Sequence, residues 1–307
     1  MKNAHQRKRQ VNLSFGIVPY LLECYSGQKT PKGRKEGSSM RLVRYFPLIV
    51  ALFVVFSGYA SAQEGLVLYF SFDNVSGDQV NDDSGNQNHG TMLGGADIVD
   101  GVVEKCIQID GATGRVEVPD SDILDIGSDN ITIECWVNTT STDRHTYSRI
   151  VSKGNFSWTP GYIFQLYNQG QPAISISDQS KVAIYAAAAG AEVNDGEWHH
   201  IAGIVDRDDN EARVYIDGEN QDIELPLGAA TSDPADIGDI SNANKLVFGC
   251  DDQQVRELVE GLYDELRIWN RTLSDSEIKQ AASGNMPGVA VLSRNKLASM
   301  WGQIKSE

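Results

Sequence analysis

The sequence is short of positive charge over most of its length. Its 307 residues include 26 Lys and Arg against 42 Asp and Glu, and residues 1–62 hold 10 of the basic residues but only 2 of the acidic ones. Residues 63–307 therefore carry 16 basic and 40 acidic residues, a formal net charge of −24. A surface this acidic repels phosphate backbones, which argues against nucleic acid as a partner. Most of these carboxylates are expected to be solvated, although carboxylate oxygens are also ligands that calcium prefers.

Cysteine is also scarce, since only Cys106, Cys135 and Cys250 follow residue 62. In an exported protein, three cysteines allow one disulfide and one odd thiol. Cys106 and Cys135 lie in strand-like runs with apolar neighbours, where an unpaired cysteine behaves as a small buried hydrophobe. The spacing alone does not decide between a disulfide and buried free thiols.

Residues 40–62 have the order of a secretory signal peptide. Met40–Arg44 is a basic segment, Phe46–Phe56 is apolar, and Ala60-Ser-Ala62 is a small-x-small cleavage site. We therefore expect export, a secreted or cell-surface location, and no membrane span after cleavage. The alternative is an uncleaved anchor, because the uncharged run at 45–63 is 19 residues long and could nearly span a bilayer.

The segment before this signal, residues 1–39, is basic and has no sustained apolar period, so it has no core to bury. Signal peptides normally begin at the initiator methionine. We therefore expect 1–39 to be upstream sequence from a mis-assigned start, or a disordered segment.

Helical periodicity is nearly absent from the rest of the chain. Short alternating apolar runs are separated by Gly, Asn, Asp and Pro, which is typical of an antiparallel sandwich. Asp217-Gly218 is expected to turn a hairpin, and Ser274 with Glu277 to begin one short C-terminal helix through a capping box. The predicted fold is all-β, an antiparallel two-sheet jelly-roll sandwich at 65–284, followed by a tail at 285–307. Thirteen strands are predicted, at 66–72, 106–110, 115–118, 131–138, 149–153, 162–167, 173–177, 182–186, 199–206, 211–216, 221–225, 245–248 and 262–269.

Five segments match one family in the same order. They are Leu68–Asp73, Asp83–Gly90, Ile131–Val137, Trp198–Ala202 and Gly261–Ile278. Together they resemble the LamG-like jelly-roll family, which has the concanavalin A-like lectin/glucanase fold and is related to laminin G domains and pentraxins. The resemblance implies the fold over about 220 residues, but it leaves function open, because such folds include both binders and enzymes.

The resemblance implies a calcium site at Asp73 and Asp264. The first and closing strands of the family lie side by side, which would bring the two carboxylates together. Laminarinase-type glycoside hydrolases hold calcium at a similar place with one Asp and backbone carbonyls. Calcium takes six to eight oxygens and accepts carbonyls and water among them. The alternative is that both residues cap turns through their own backbone.

A second, weaker calcium candidate is the cluster of Asp251, Asp252 and Glu257. Pentraxins have an acidic and carboxamide cluster after a similar strand end. However, they supply an Asp-Asn pair where this chain has Pro160-Gly161, so half of that cage is missing. A solvated loop is the competing interpretation.

Residues typical of catalysis are sparse. Laminarinase-type enzymes carry a Glu-x-Asp-x-x-Glu run, which this sequence lacks, and Glu134 and Asp206 stand isolated among apolar strand residues. His199 and His200 should point to opposite faces of a strand and cannot hold one ion together. His89, in the 83–90 loop, is interpreted as part of a structural brace for the first strand.

The predicted function is binding of carbohydrate or of a glycosylated surface, since sugar rings stack on Trp and Tyr. Trp158, Asn155 and Tyr147, in and near a loop rich in Gly, Asn and Pro, are the predicted ligand-binding residues. Core packing is the alternative for the aromatic residues. An exported, non-enzymatic binding module with a calcium ion is thus predicted, with a glycoside-active enzyme or a protein-protein adhesion module as alternatives.

Overall fold

The computed structural model describes residues 64–141, 147–155, 159–168, 170–180, 183–225, 233–251, 260–285 and 287, without the side chains of residues 147 and 155. Across this part of the chain the strands β1 to β18 are Leu66–Phe70, Val75–Ser76, Gln79–Val80, Gly90–Leu93, Asp97–Asp100, Lys105–Asp110, Arg115–Val118, Ile131–Asn138, Tyr147–Asn155, Thr159–Tyr167, Gln171–Ser177, Ala183–Ala188, His199–Asp206, Glu211–Ile216, Glu219–Asn220, Ile223–Glu224, Leu246–Phe248 and Glu260–Trp269. One α-helix, α1, spans Asp275–Ala281, and short 3-10 helices lie at Asp122–Leu124 and Pro234–Asp236. No helix in the described ranges is long and apolar enough to cross a membrane.

The strands form two antiparallel sheets. The eight-stranded sheet has the order β15-β14-β13-β8-β18-β6-β5, with β1 also paired to β18, and the ten-stranded sheet has the order β16-β12-β11-β10-β9-β17-β7-β4-β3-β2. The predicted all-β, two-sheet jelly-roll sandwich with one short C-terminal helix is confirmed.

Strand β8 shows how the sequence produces this sandwich. Ile133, Cys135 and Val137 are fully buried in the main core, and the residues between them, Glu134 and Trp136, therefore lie on the outer face of the eight-stranded sheet. The main core is formed by the inward faces of both sheets, so each strand contributes every second side chain to it.

The first and closing strands lie side by side, as predicted, with Tyr69 opposite Arg267. The loop before β4 braces β1, as the sequence also predicted. Asn88 Nδ2 donates to Val67 O at 3.2 Å, and Asp82 Oδ1 accepts from the Tyr69 N–H at 3.0 Å. His89 is part of this brace, because its Nδ1 accepts from the Asp82 N–H at 3.1 Å.

Helix α1 covers part of the outer face of the eight-stranded sheet. Its capping box is present as predicted: Ser274 Oγ accepts from the Glu277 N–H, and Glu277 Oε2 accepts from the Ser274 N–H at 2.9 Å. Ile278 on this helix packs with Trp269 and Tyr215 in a second buried cluster that is separate from the main core. The helix therefore shields an apolar patch that the sheet would otherwise expose.

The predicted Asp217-Gly218 hairpin turn is also present between β14 and β15. Both residues have positive φ, 52° and 82°. A two-residue turn with two positive φ angles matches the right-handed twist of its flanking strands.

The three cysteines after residue 62 are buried free thiols, so the disulfide that the sequence allowed is not observed among them. Cys106 and Cys135 lie on β6 and β8, which are separated by β18 in the sheet. Cys135 belongs to the main core, whereas Cys106 Sγ donates to Asp100 O at 3.4 Å. Their places in the sheet keep these two thiols apart.

Candidate functional site

The predicted ligand-binding residues are distributed over two ends of one hairpin. β9 pairs with β10 so that Tyr147 is opposite Tyr167 and Asn155 is opposite Thr159. Asn155 lies eight positions after Tyr147 on β9, which corresponds to about 26 Å at roughly 3.3 Å per residue. The structure therefore does not bring Tyr147 to Asn155. Trp158 lies outside the described residues. It belongs to the three residues between β9 and β10, and we call this connection, together with Asn155 and Thr159, the hairpin tip.

Asn242 braces the hairpin beside this tip. Its Nδ2 donates to Lys153 O on β9 at 3.2 Å and to Pro160 O on β10 at 2.9 Å, so one side chain links both strands. Gly161 makes this approach possible, because a Cβ atom there would collide with the Lys153 carbonyl oxygen and lie 2.9 Å from Asn242 Nδ2. The tip thus begins from a fixed base, which is the arrangement that holds binding loops in place.

A buried ammonium group ties the same hairpin to two other loops. The Lys153 side chain is 1% exposed, and its Nζ donates to Asp120 Oδ1 at 2.8 Å and Asp125 Oδ1 at 3.1 Å. It also donates to the carbonyl oxygens of Asn242 at 2.7 Å and Asn244 at 3.1 Å. We call these four oxygens the Lys153 cage.

The sequence did not point to the Lys153 cage, although it contained one signal. Lys153 follows Ile150 and Val151, which are both buried in the main core. Lysine is almost never fully buried unless it is paired. A lysine in a strand of this kind therefore predicts acidic partners, but their identity depends on the tertiary fold.

The predicted calcium ligands Asp73 and Asp264 both contact the β5–β6 hairpin, Asp264 at its turn and Asp73 at the first residue of β6. Asp264 Oδ2 accepts from the Val103 N–H at 2.9 Å, and Asp73 Oδ1 accepts from the Lys105 N–H at 2.8 Å. Asp264 lies at a bulge in the pairing of β18 with β8, and the next residue, Glu265, has a φ of 54°. The two carboxylates thus accept hydrogen bonds from backbone N–H groups of the same hairpin.

The surroundings of Asp264 disfavour the charged form of its carboxyl. Asp264 is fully buried, and its Oδ1 has no hydrogen-bond partner. Burial raises the pKa of its carboxyl to about 7, with Glu265 and Asp73 adding like charge. Burial and neighbouring carboxylates also raise the pKa of Asp73. An unpaired buried carboxylate oxygen beside a second carboxylate is a ligand set that a cation would stabilise.

The described residues contain no group of three or more His, Cys, Asp or Glu that could hold a metal, so at most two carboxylates are available here. A calcium ion at this place would need backbone carbonyls and water for its remaining oxygens. Asp73 and Asp264 would hold the ion, and the ion would be the partner that Asp264 Oδ1 does not have among the hydrogen-bond donors around it.

The weaker calcium candidate has a cation beside it already. Asp251 is buried, with its Oδ2 3.8 Å from Arg149 Nη2. The other two members of that cluster, Asp252 and Glu257, lie outside the described residues. A calcium ion at Asp251 would therefore have to compete with a guanidinium group.

The isolated strand carboxylates are engaged in ion pairs rather than facing one another. Glu134 Oε1 lies 3.6 Å from Arg267 Nη1, and Glu134 Oε2 lies 3.5 Å from His200 Nε2. Asp206 Oδ2 accepts from Arg213 Nη2 at 3.1 Å. Glycoside hydrolysis needs two carboxyl groups on either side of one bond. These two residues stand on different strands, and each has its own cation.

The paired histidines also have separate roles. His199 contacts two carboxylates, with Nδ1 2.8 Å from Asp217 and Nε2 3.2 Å from Asp195. His200 is fully buried, and its ring lies 5.5 Å from that of Trp136. The two imidazoles contact different groups, in agreement with the alternation of a strand.

Comparison with solved structures identifies binding domains of the same fold. The binding domain of Paraclostridial Mosquitocidal Protein 1 superposes with a TM-score of 0.58 at 18% identity, covering 73% of this chain and 53% of that one. The receptor binding domain of botulinum neurotoxin C/D mosaic serotype gives 0.55 at 13% identity, covering 72% and 52%. This chain thus spans about half the length of each toxin domain.

A shorter neighbour is matched over nearly its whole length. Domain 4 of AbnA, a GH43 extracellular arabinanase from Geobacillus stearothermophilus, in complex with arabinotriose, has a TM-score of 0.51 at 20% identity, covering 71% of this chain and 98% of that one. At these identities the likeness concerns the fold alone.

A family model places the chain more directly. The model described as concanavalin A-like lectin/glucanases superfamily matches residues 110–279, more than half of the sequence. The matched range runs from the end of β6 into α1 and so contains the hairpin tip, the Lys153 cage and Asp264. The chain therefore belongs to the concanavalin A-like lectin/glucanases superfamily.

Proposed function

We propose that this chain is an exported, non-enzymatic module that binds carbohydrate or a glycosylated surface through the hairpin tip. The observation that carries the proposal is the braced hairpin base: Asn242 joins both strands, and the Lys153 ammonium ties β9 to Asp120 and Asp125. A rigid base lowers the entropy cost of ligand binding by a loop. Trp158 would supply the stacking surface and Asn155 hydrogen bonds to hydroxyl groups.

The comparisons support binding more than catalysis. The similar solved structures are largely binding domains, one of them in complex with arabinotriose. The family name covers both lectins and glucanases, so family membership by itself does not decide. Glu134 and Asp206 support the non-enzymatic assignment, because each is held by its own cation.

Export through the signal peptide at 40–62 is part of this proposal, as is calcium at Asp73 and Asp264. Mass spectrometry of the exported protein should find an N-terminus at Gln63 or an adjacent residue. Peptides from residues 1–39 in the mature product would contradict cleavage at this site and the proposed start at Met40.

The proposed function is tested by glycan-array binding of the mature chain, followed by affinity measurements for Trp158→Ala. Losing a stacked aromatic should weaken affinity by about 1 to 3 kcal/mol, while the unfolding midpoint should stay nearly unchanged. The matched control is Leu225→Ala, which truncates an apolar side chain that is 45% exposed on a different strand end.

Three outcomes would redirect the proposal. A lowered midpoint with unchanged binding would assign Trp158 to packing. Release of reducing sugar from the bound glycan would show an enzyme. Absence of glycan binding together with tight capture of one defined protein would show an adhesion module.

A further inference from the structure

The Lys153 cage contains more acceptors than its lysine has donors. An ammonium group has three N–H bonds, yet four oxygens lie within 3.1 Å of Nζ: one each from Asp120 and Asp125 and the carbonyls of Asn242 and Asn244. At least two of the four oxygens must therefore share one N–H donor. The geometry is that of a point charge surrounded by oxygens rather than of a single ion pair.

The charges in the cage do not balance. Two carboxylates face one ammonium, which leaves a formal excess of one negative charge around a lysine side chain that is 1% exposed. The carboxylates themselves are partly open to solvent, with side-chain exposures of 36% for Asp120 and 27% for Asp125. Two carboxylates, two carbonyls and access for water form a set of hard oxygen ligands of the kind that calcium takes.

The cage also joins segments that are distant in sequence. Asp120 follows β7, Asp125 caps the 3-10 helix after it, and Asn242 and Asn244 precede β17. Asn242 is at the same time the residue whose Nδ2 links β9 to β10. Whatever cation occupies the cage therefore fixes the base of the hairpin tip.

We propose that the Lys153 cage is a cation site and that the Lys153 ammonium is its resident cation. The lysine thereby acts as a positioning residue that orders the hairpin base without a bound metal. Removing the lysine side chain beyond Cβ should open a divalent-cation site made of Asp120, Asp125 and the two carbonyls. This inference rests on the cage geometry and does not depend on glycan binding.

The experiment separates this cage from the Asp73 and Asp264 site by carrying Asp264→Asn in every variant, with Asp264→Asn alone as the reference. Lys153→Ala removes the ammonium from the cage, and Lys153→Met removes the charge but keeps most of the volume. Lys153→Ala with Asp125→Asn replaces one anionic ligand by a neutral amide oxygen. The readouts are the thermal unfolding midpoint with calcium or EDTA, and Tb³⁺ luminescence sensitised by nearby Tyr162.

The Lys153→Ala variant should have a lowered midpoint in EDTA that calcium restores, and it should bind Tb³⁺ competitively with calcium. With a Kd on the order of 10⁻⁴ to 10⁻³ M, as in extracellular modules, about 10 mM calcium should suffice. Lys153→Met should show no calcium response, and Asp125→Asn should remove most of the response of Lys153→Ala.

The reference should have the same unfolding midpoint in calcium and in EDTA. Hydrogen exchange at the amides of residues 153–155, 159 and 161 should also be the same in the two solutions. If Lys153→Ala does not fold in EDTA, recovery of the folded state by calcium still supports the proposal. Failure of calcium and Tb³⁺ to bind or to restore Lys153→Ala would overturn it, as would an equal response of Lys153→Met.

Discussion

The Oδ2 atom of Asp264 accepts a 2.9 Å hydrogen bond from the Val103 N–H, while its Oδ1 atom is buried without a partner. One oxygen of this carboxylate therefore has a hydrogen-bond donor, in the turn between β5 and β6, and the other oxygen has none. An unsatisfied buried polar atom costs about 1 to 3 kcal/mol. A cation that contacts Oδ1 would remove that cost and bind the folded state preferentially.

Calcium should consequently raise the stability of the protein. At one hundred times its Kd, an ion that binds only the folded state adds about 2.7 kcal/mol to the free energy of unfolding. Asp264→Ala should abolish this increment, and Asp97→Ala, an exposed acid on β5, should leave it intact. Chemical unfolding with calcium and with EDTA provides the measurement. A wild-type free energy of unfolding that is the same in both solutions would refute the site.

Removing the cation from the buried charge network on the outer face of the eight-stranded sheet should lower the stability of the protein strongly. Arg267 is 2% exposed, contacts Glu134 and Glu265, and lies 4.4 Å from the centre of the Tyr69 ring. Arg267→Met would leave the buried carboxylates of Glu134 and Glu265 without the guanidinium charge that faces both of them. Removing one member of a buried ion pair costs about 3 to 5 kcal/mol.

The control for this prediction is Arg115→Met, which breaks a more exposed pair with Glu117 at 2.8 Å. A pair near the surface is worth about 0 to 1 kcal/mol. Urea unfolding of both variants should therefore show a large loss for Arg267→Met and a small one for Arg115→Met. Similar losses in the two variants would mean that the Arg267 network contributes no more than a surface pair.

Much of the sheet architecture could be predicted from the sequence because alternation and turn residues agree with one another. β8, β13 and β14 begin and end at their predicted residues, since an alternating run between two turn signals has one register that buries its apolar face. The strands β2 to β5 were not predicted. They contain two to four residues each and are rich in polar residues, so they show no period.

The sites were predictable only where they follow from neighbouring strands. The proximity of Asp73 to the Asp264 region follows from the pairing of β1 with β18, but the burial of Asp264 depends on a turn some 160 residues away in sequence, at Val103. The Lys153 cage also depends on contacts that are distant in sequence, because its four oxygens belong to residues 28 to 91 positions from the lysine. Contacts of this range are set by topology and are not visible in local patterns.

Helix α1 gives a local prediction. Ser274 Oγ accepts from the Glu277 N–H at 3.4 Å and thereby caps the first turn. Ser274→Ala should lower the free energy of unfolding by about 1 kcal/mol, within the range of 0.5 to 2 for lost N-caps. The control is Ser276→Ala, two residues further along. It removes an exposed hydroxyl that contacts Ser274 Oγ at 3.1 Å but leaves the bond from the Glu277 N–H in place. Equal effects of the two substitutions in chemical unfolding would show that the cap contributes no stability of its own.

His199 should make stability depend on pH near neutrality. Burial lowers the pKa of this imidazole, but hydrogen bonds and charge from Asp217, and then from Asp195, outweigh it and leave the pKa above its usual value. A group whose pKa is raised by folding binds its proton more tightly in the folded state. Its stabilising contribution is therefore complete below the usual pKa of about 6.5 and is lost as the pH rises through the folded-state pKa.

The measurement is the difference in unfolding midpoint between the wild type and His199→Gln from about pH 5.5 to 8.5, a window above the usual pKa values of Asp and Glu. The difference should favour the wild type at the acidic end and shrink toward the alkaline end. In an Asp217→Asn background the same difference should be smaller at pH 5.5, because the 2.8 Å contact to Nδ1 would lose its charge. A difference that is constant with pH, or that grows toward alkaline pH, would show that the imidazolium does not stabilise the folded state.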